Sequence, residues 1–334
     1  MLPDSSDEPR SLYDFMAAAN AAYYGSRDPL GADGDFITAP EISQMFGELI
    51  GLWFADLALR SGAGDVAYVE LGPGRGTLAA DALRAMRQAG LTPPVHFVET
   101  SPTLRERQRS AVPHGAWHER IDTLPTDRPM IIIANEFFDA LPIRQFERTG
   151  RGWRERMIRD GAFVHGEAEC ADEIPLALAD SPLASIVERN PEGEAIMADL
   201  ARRIARQGGA MLAIDYGYDG PATGDTLQAM HAHAFADPLE APGTRDLTAH
   251  VDFGMLAVVG RAAGLRPSPC IHQGAFLSAL GIDAREQSLA RANPARADEL
   301  RSARERLVAP KQMGRLFKVL ALTNPAWPQP AGFA

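Results

Sequence analysis

The sequence predicts an α/β fold, a mostly parallel sheet with helices on both faces, and three observations predict it. The run Val66–Glu70 is β-branched and aromatic and ends in a carboxylate; glycines follow at Gly72, Gly74 and Gly76, and an amphipathic pattern begins at Thr77. A strand, a glycine-rich turn and a helix in that order open nucleotide-type α/β sheets, because glycine lets backbone approach a ligand and reach φ > 0. A second strand, His96–Glu99, ends in a carboxylate roughly twenty residues past the loop, the place of a ribose-binding acid. Finally, Met130–Ala134 and Ala210–Ile214 are unbroken apolar runs, as expected of central parallel strands covered on both faces.

The flanking elements follow from periodicity and punctuation. Leu12, Phe15, Met16, Ala19 and Tyr23 share one face of a helix over 11–24, and a Gly, Pro and Asp-rich loop follows over 26–35. Thr38 and Glu41 form a capping-box pattern with Pro40 in the first turn, predicting a helix that runs to about Leu59 with Gly47 and Gly51 open to a close neighbour. Ser101-Pro102 marks a helix start, and 116–121 reads as a third strand ending at Asp122. Beyond Pro142 the alternation breaks. Residues 144–169 read as a hairpin around Asp160-Gly161, 180–207 as helical with a break at Pro191, and 219–250 as a long functional loop. Helices over 251–263, 274–280 and 284–307 and a last strand over 316–322 complete the chain. The Pro-rich tail 324–334 reads as loose.

The expected organisation is therefore a single domain over 1–334. An N-terminal helical lid covers 10–60, the halves of the core cover 64–143 and 208–323, and an inserted α/β segment covers 144–207. The insertion and the long loop look like a surface for a protein partner or for self-association as a homodimer.

Composition excludes several classes. The 334 residues are 46% hydrophobic and 23% charged, with a net charge of −11. That balance argues against nucleic acid as a partner. No stretch is apolar and long enough for a membrane span. Only Cys170 and Cys270 are present, which suits a reducing compartment. The acidic start has neither a signal-peptide nor a transit-peptide pattern, so a cytoplasmic protein is expected. His231 and His233 lack a carboxylate or Cys at ligand spacing, so no metal is expected.

Each predicted strand ends in a polar group: Glu70, Glu99, Asp122, Asn135 with Glu136, and Asp215. Ligands of open α/β sheets bind at these carboxyl ends, so the crevice is acidic. A pyrophosphate ligand such as NAD prefers helix dipoles and basic surroundings, whereas the sulfonium and α-ammonium of S-adenosyl-L-methionine prefer carboxylates. The spacing Glu-x-Gly-x-Gly-x-Gly also departs from the dinucleotide fingerprint. Glu70, Gly72, Gly74, Gly76, Thr77, Glu99, Asp122 and Asn135 are thus candidate donor-binding residues. Gln44 joins them from a segment, 35–48, expected to fold over the donor.

Several longer segments carry a resemblance: Gly34-Asp35-Phe36-Ile37-Thr38-Ala39-Pro40-Glu41-Ile42-Ser43-Gln44-Met45-Phe46-Gly47-Glu48-Leu49, Leu71-Gly72-Pro73-Gly74-Arg75-Gly76-Thr77-Leu78, Asn135-Glu136-Phe137-Phe138-Asp139-Ala140-Leu141-Pro142, Asp215-Tyr216-Gly217, Ala241-Pro242-Gly243-Thr244-Arg245-Asp246-Leu247-Thr248-Ala249-His250-Val251-Asp252-Phe253 and Lys311-Gln312-Met313-Gly314-Arg315-Leu316-Phe317. In these the chain resembles the MidA family, which includes the mitochondrial complex I assembly factor arginine methyltransferase and bacterial relatives. The resemblance covers nearly the whole chain. It implies a class I methyltransferase Rossmann-like fold, S-adenosyl-L-methionine as donor and a protein arginine as acceptor, with a respiratory-complex subunit as a candidate target. Glu136 and Asp139 follow the fourth strand, where aminomethyltransferases of this fold carry Asn/Asp-Pro-Pro-aromatic. The prolines are missing here, which leaves room for a carboxylate, and Glu136 and Asp139 are the candidate catalytic pair. A donor-binding assembly factor and a small-molecule methyltransferase stay open as alternatives.

Overall fold

The computed structural model describes residues 8–26, 38–231 and 234–333. Helix α1 (Leu12–Ser26) is followed by a single turn α2 (Ala39–Ile42) and the long α3 (Gln44–Ser61). The core then alternates β1 (Ala67–Leu71), α4 (Thr77–Gln88), β2 (Val95–Val98), α5 (Pro102–Ala111), β3 (Ala116–His118) and β4 (Met130–Asn135). It resumes with α6 (Pro191–Gln207), β5 (Gly209–Tyr218), α7 (Phe253–Ala262), β6 (Arg266–Pro267) and β7 (Phe317–Thr323). The sheet order is β3-β2-β1-β4-β5-β7-β6. The contacts from β3 to β5 are parallel, and β7 enters antiparallel between β5 and β6. This is the mostly parallel, two-sided α/β sheet that the sequence predicts.

The apolar runs of β1 and β4 divide between the two faces as their pleat requires. Tyr68, Ile131 and Ile133 face α3, α4 and the C-terminal helices, while Val69, Leu71, Ile132 and Ala134 face α6 and α7. Helix α3 lies close on α4 because Gly51 has no side chain: a Cβ there would stand 2.3 Å from the Ala82 carbonyl oxygen.

Several expectations are corrected. The helix expected from Pro40 to Leu59 is interrupted at Ser43, whose extended backbone and hydroxyl cap the start of α3; Thr38 makes no side-chain cap. Helix α3 is a core helix on the sheet, so among the described residues of the expected lid over 10–60 only α1 and the turn Thr38–Glu41 reach the ligand cavity. Asp35 and Phe36 lie outside the described residues.

Pro191 does not break a helix. It starts α6, where its missing N–H costs nothing and Asn190 caps the turn. Helix α6 is the crossover between β4 and β5, so the insertion ends near Asn190. Its strands Arg144–Thr149, Gly152–Arg159, Ala162–Glu169 and Ile186–Arg189 form an antiparallel sheet with Arg10–Ser11. The long loop 219–250 also folds, into three antiparallel strands Gln228–His231, Ala234–Ala236 and Asp246–Thr248. Helix α1 packs on both additions through Leu12, Phe15, Met16 and Ala19, against Ile143, Ile158, Ala229 and Leu247.

The tail is packed rather than loose. Trp327 is buried, the Trp53 indole N–H donates to the Ala331 carbonyl at 2.9 Å, and Phe333 lies on Phe276. Among the described residues, no helix is long and apolar enough to cross a membrane.

Candidate active site

A cavity of about 960 Å³ opens at the carboxyl ends of β1, β2, β4 and β5. It is walled by α1, the Thr38–Glu41 turn and the small sheet 228–248. The elements that depart from a plain alternating sheet therefore close the site over the strand ends.

The wall beside β1 is the glycine loop. Gly72, Gly74 and Gly76 all take positive φ, at 56, 53 and 82°, a region that costs an L side chain roughly 1–2 kcal/mol. A Cβ at Gly72 would also press the Phe137 ring at 3.1 Å. The Thr77 hydroxyl, at the first turn of α4, donates to Glu41 Oε1 at 2.5 Å and so ties the loop to the α2 turn. Gln108, fully buried on α5, donates from Nε2 to the Gly74 carbonyl at 2.8 Å and to Glu99 Oε2 at 3.0 Å. Its own carbonyl accepts from the Trp117 indole at 2.8 Å. One amide thereby fixes the distance between the loop and the acid that ends β2. Glu99 is also held by the Ser101 backbone N–H at 2.8 Å, and burial raises its pKa. Glu70 accepts from the Tyr68 hydroxyl at 2.7 Å, and burial pushes its carboxyl up to about 8.

The far end of the cavity is built on the turn after β4. Glu136 holds a positive φ of 51°, uncommon for a residue with a side chain. Its N–H donates to the Ile214 carbonyl at 2.9 Å, and its Oε1 accepts from the Ala39 backbone N–H at 3.1 Å and from Asn135 Nδ2 at 3.2 Å. The buried Asp215 on β5 explains the turn. Its Oδ2 accepts from the successive N–H groups of Phe137, Phe138 and Asp139 at 3.2, 3.1 and 3.2 Å, and its Oδ1 from Tyr216 N–H at 2.9 Å. Asp139 is 6% exposed and bonded by the Tyr216 hydroxyl. Its Oδ1 and the Asn135 Oδ1 are buried with no hydrogen-bond partner. Burial, then the neighbouring Asp139 charge, pushes Glu136 up to about 8; burial pushes Asp139 up to about 6. Asp215 is raised further by burial and by both neighbours.

Helix α1 completes this end. Asn20 Nδ2 donates to the carbonyls of Ala140 and Leu247, each at 2.8 Å, and the Tyr24 hydroxyl donates to Asp246 Oδ1 at 2.7 Å. The lining thus carries the carboxyl groups of Glu41, Glu70, Glu99, Glu136, Asp139 and Asp246. An acceptor oxygen left unpartnered in a buried acidic pocket asks for a donor that is itself cationic.

Most predicted site residues meet here: Glu70, Gly72, Gly74, Thr77, Glu99, Asn135, Glu136 and Asp139 all line the cavity. Gly76 sits one step behind, as the N-cap of α4. Two predictions fail. Asp122 is exposed on a short turn after β3 and pairs with Arg120 at 2.8 Å, because the third strand ends early at His118. Gln44 turns along α3 to donate to Glu48 Oε1 at 3.0 Å, since the kink at Ser43 rotates it away from the cavity. Glu41 takes the place expected of it. Sequence reasoning also missed Gln108, Asn20, Tyr24 and Asp246. Asp246 sits in a segment the resemblance marks, whereas the others carry no local signal. The histidine pair expected to bind no metal includes His233, which lies outside the described residues. Among the described residues no group of three or more His, Cys, Asp or Glu side chains could hold a metal ion.

Comparison with known proteins gives a consistent picture. A sequence profile of S-adenosyl-L-methionine-dependent methyltransferases matches residues 49–270. The mitochondrial protein arginine methyltransferase NDUFAF7 of Mus musculus is 37% identical over 346 residues, covering 90% of this chain and 77% of that one. The Homo sapiens protein of the same name is 37% identical, with 90% and 76% covered. A solved Burkholderia thailandensis protein bound to S-adenosyl-homocysteine superposes with a TM-score of 0.84 at 27% identity, covering 97% of this chain and 90% of that one. A native structure from the same organism gives 0.79 at 28% identity, covering 95% and 90%.

Proposed function

We propose, from the premise that this chain belongs to the S-adenosyl-L-methionine-dependent methyltransferase family of the NDUFAF7 relatives, that it methylates the guanidinium of a protein arginine. It is a methyltransferase of class I fold with S-adenosyl-L-methionine as its methyl donor. The observation that carries the acceptor reading is the acidic far end of the cavity, with the unpartnered Asp139 Oδ1 at its base.

The residues present fit the donor. The side-chain-free loop at Gly72 and Gly74 lets a ligand lie against backbone, and Glu99 stands where ribose hydroxyls need an acceptor. When bound, the donor supplies a sulfonium methyl: a guanidinium nitrogen attacks it in line, the N–C bond forms as the C–S bond breaks, and sulfur leaves as a neutral thioether. The chain's own part is positioning and electrostatics. Asp139 and Glu136 accept N–H groups of the guanidinium and keep its charge on the nitrogens away from the reacting one. Glu136 takes the proton that the methylated nitrogen sheds. Asp215 acts through the turn and touches neither substrate.

A respiratory-complex subunit is the first acceptor to test, and we place the protein in the cytoplasm, where its free Cys170 and Cys270 are at home. The deciding experiment incubates the protein with methyl-labelled donor and a lysate of cells that lack it, then hydrolyses the labelled protein. Label in methylarginine supports the reading. Label only in small molecules, or no transfer at all, overturns it.

A further inference from the structure

The interior of the cavity is acidic, yet its rim is apolar. Phe235 is 78% exposed and Leu316 49% exposed, and both line the cavity. Among the described residues, the other exposed large apolar side chains, such as Leu52, Leu176 and Leu183, do not line it. Phe235 pairs directly with Met230 across the antiparallel strands Gln228–His231 and Ala234–Ala236, and Met230 lines the cavity too. The pleat makes this a built arrangement: Ala229 turns into the core under α1, so Met230 and its cross-strand partner must face the other way, over the opening. The hairpin is anchored by pairing with Asp246–Thr248, the strand that carries Asp246 into the same cavity. Leu316 precedes β7 and lies beside Phe317, which packs against Tyr216.

We infer that the rim formed by Met230, Phe235 and Leu316 is a docking surface for the polypeptide that flanks the acceptor arginine, and that it selects a large apolar residue next to that arginine. The inference rests on the reading above that the acceptor is a protein. Two features of the site name this occupant. The rim is continuous with the cavity: Met230, Phe235 and Leu316 line the same cavity as Asp139, Glu136 and Asp246. The zoning matches a segment with a cationic side chain inserted and an apolar neighbour left outside, because exposed aromatic and aliphatic side chains around a pocket are what partner side chains cover. A cavity of about 960 Å³ is near the top of the roughly 300–1,000 Å³ span of small-molecule sites. It has room for the donor and one long side chain, which leaves neighbouring residues at the rim.

The test uses two capped peptides, acetyl-Gly-Arg-Gly-amide and acetyl-Leu-Arg-Phe-amide, as methyl acceptors for the full chain with labelled donor, together with the lysate acceptor. The apolar-flanked peptide should show a kcat/KM at least tenfold above the glycine peptide. Phe235→Ser and Leu316→Ser should each cut that preference about threefold, and the double variant should erase it and lower labelling of lysate protein. Phe235→Leu should keep most of it. Affinity for S-adenosylhomocysteine should be the same in all four variants, which shows that they fold. Equal use of the two peptides by the unmodified chain, a preference that survives the double substitution, or unchanged lysate labelling overturns the rim inference alone. Absence of methylarginine from both lysate and peptides overturns the arginine reading, and the rim with it.

Discussion

Replacing Asp215 should damage the site without touching a ligand. Its carboxylate accepts four backbone N–H groups, three of them the consecutive donors of Phe137, Phe138 and Asp139. Burial opposes this charge, and so do Asp139 and Glu136, which together raise the carboxyl's pKa despite the N–H groups; the four N–H bonds are what hold the turn in shape. In Asp215→Ala the bonds go and the donors stay buried. Each unsatisfied buried donor costs about 1–3 kcal/mol; relief of carboxylate crowding and local relaxation offset part, leaving a net loss of about 3–5 kcal/mol. At about 2 °C per kcal/mol for a large domain, Tm should fall by about 6–10 °C. Asp215→Asn keeps one acceptor but turns an N–H₂ toward the Tyr216 N–H, and should lose about 1–2 kcal/mol. Turnover should fall in both by about 100-fold, because the turn that aims Glu136 and Asp139 shifts. Donor affinity should change far less, since the glycine loop is untouched. Scanning calorimetry, titration with S-adenosylhomocysteine and labelled-methyl transfer read the three quantities. A Tm within 2 °C for the alanine variant, with turnover within threefold, would refute the account of Asp215 as the anchor of the turn.

Three further outcomes follow from the same geometry. Gly74→Val should abolish donor binding in calorimetry, because Gly74 holds φ 53° and lines the cavity, and a β-branched residue there must rearrange the loop; unchanged affinity removes the loop from the donor site. Glu136→Gln should leave donor affinity intact while kcat drops about 10²–10⁴-fold; surviving turnover would assign the proton-accepting role to another acid. The pH dependence has a definite sign. Glu70 and Glu136 titrate near 8 in the fold and near 4.3 when unfolded, so their contribution to the stability of the unliganded protein is full below the unfolded value and is lost as pH rises through about 8. A cationic donor favours the ionised acids, so its binding should release protons and tighten from pH 6 to 8. Titrations in buffers of different ionisation enthalpy measure the release, and proton uptake on binding would contradict it.

The core of the fold was legible because its signals are local. A β-branched run, a glycine loop and an amphipathic helix lie within about one βα unit, and Glu70, Gly72, Gly74 and Thr77 fall in it. Glu99 was legible by distance along the chain, and Asn135 to Asp139 by their place after a wholly apolar strand. Asp122 failed because β3 is an edge strand of three residues, too short for periodicity to fix its end. Gln44 failed because the kink at Ser43 is set by a side-chain cap rather than by the apolar stripe that runs through it. The segment 219–250 looks like a loop in sequence because its strands are only three or four residues long, and they are held by pairing and by α1 rather than by a pattern of their own.

The residues that escaped sequence reading share one property: their role depends on a partner far along the chain. Gln108 reaches Gly74 and Glu99, Asn20 reaches Ala140 and Leu247, and Tyr24 reaches Asp246. Gln108 ties together two strand-end loops of the plain sheet, whereas Asn20 joins the turn after β4 and the strand Asp246–Thr248 to α1, and Tyr24 joins that same strand to α1. On the arginine reading proposed above, the donor side of the site is written into contiguous sequence, whereas the acceptor side is assembled from α1, the turn after β4 and the strand Asp246–Thr248. That division explains why the donor was the easier inference. It also places acceptor choice in the additions: substitutions on α1 or the 228–248 strands should alter which arginine is used while leaving donor affinity near its original value.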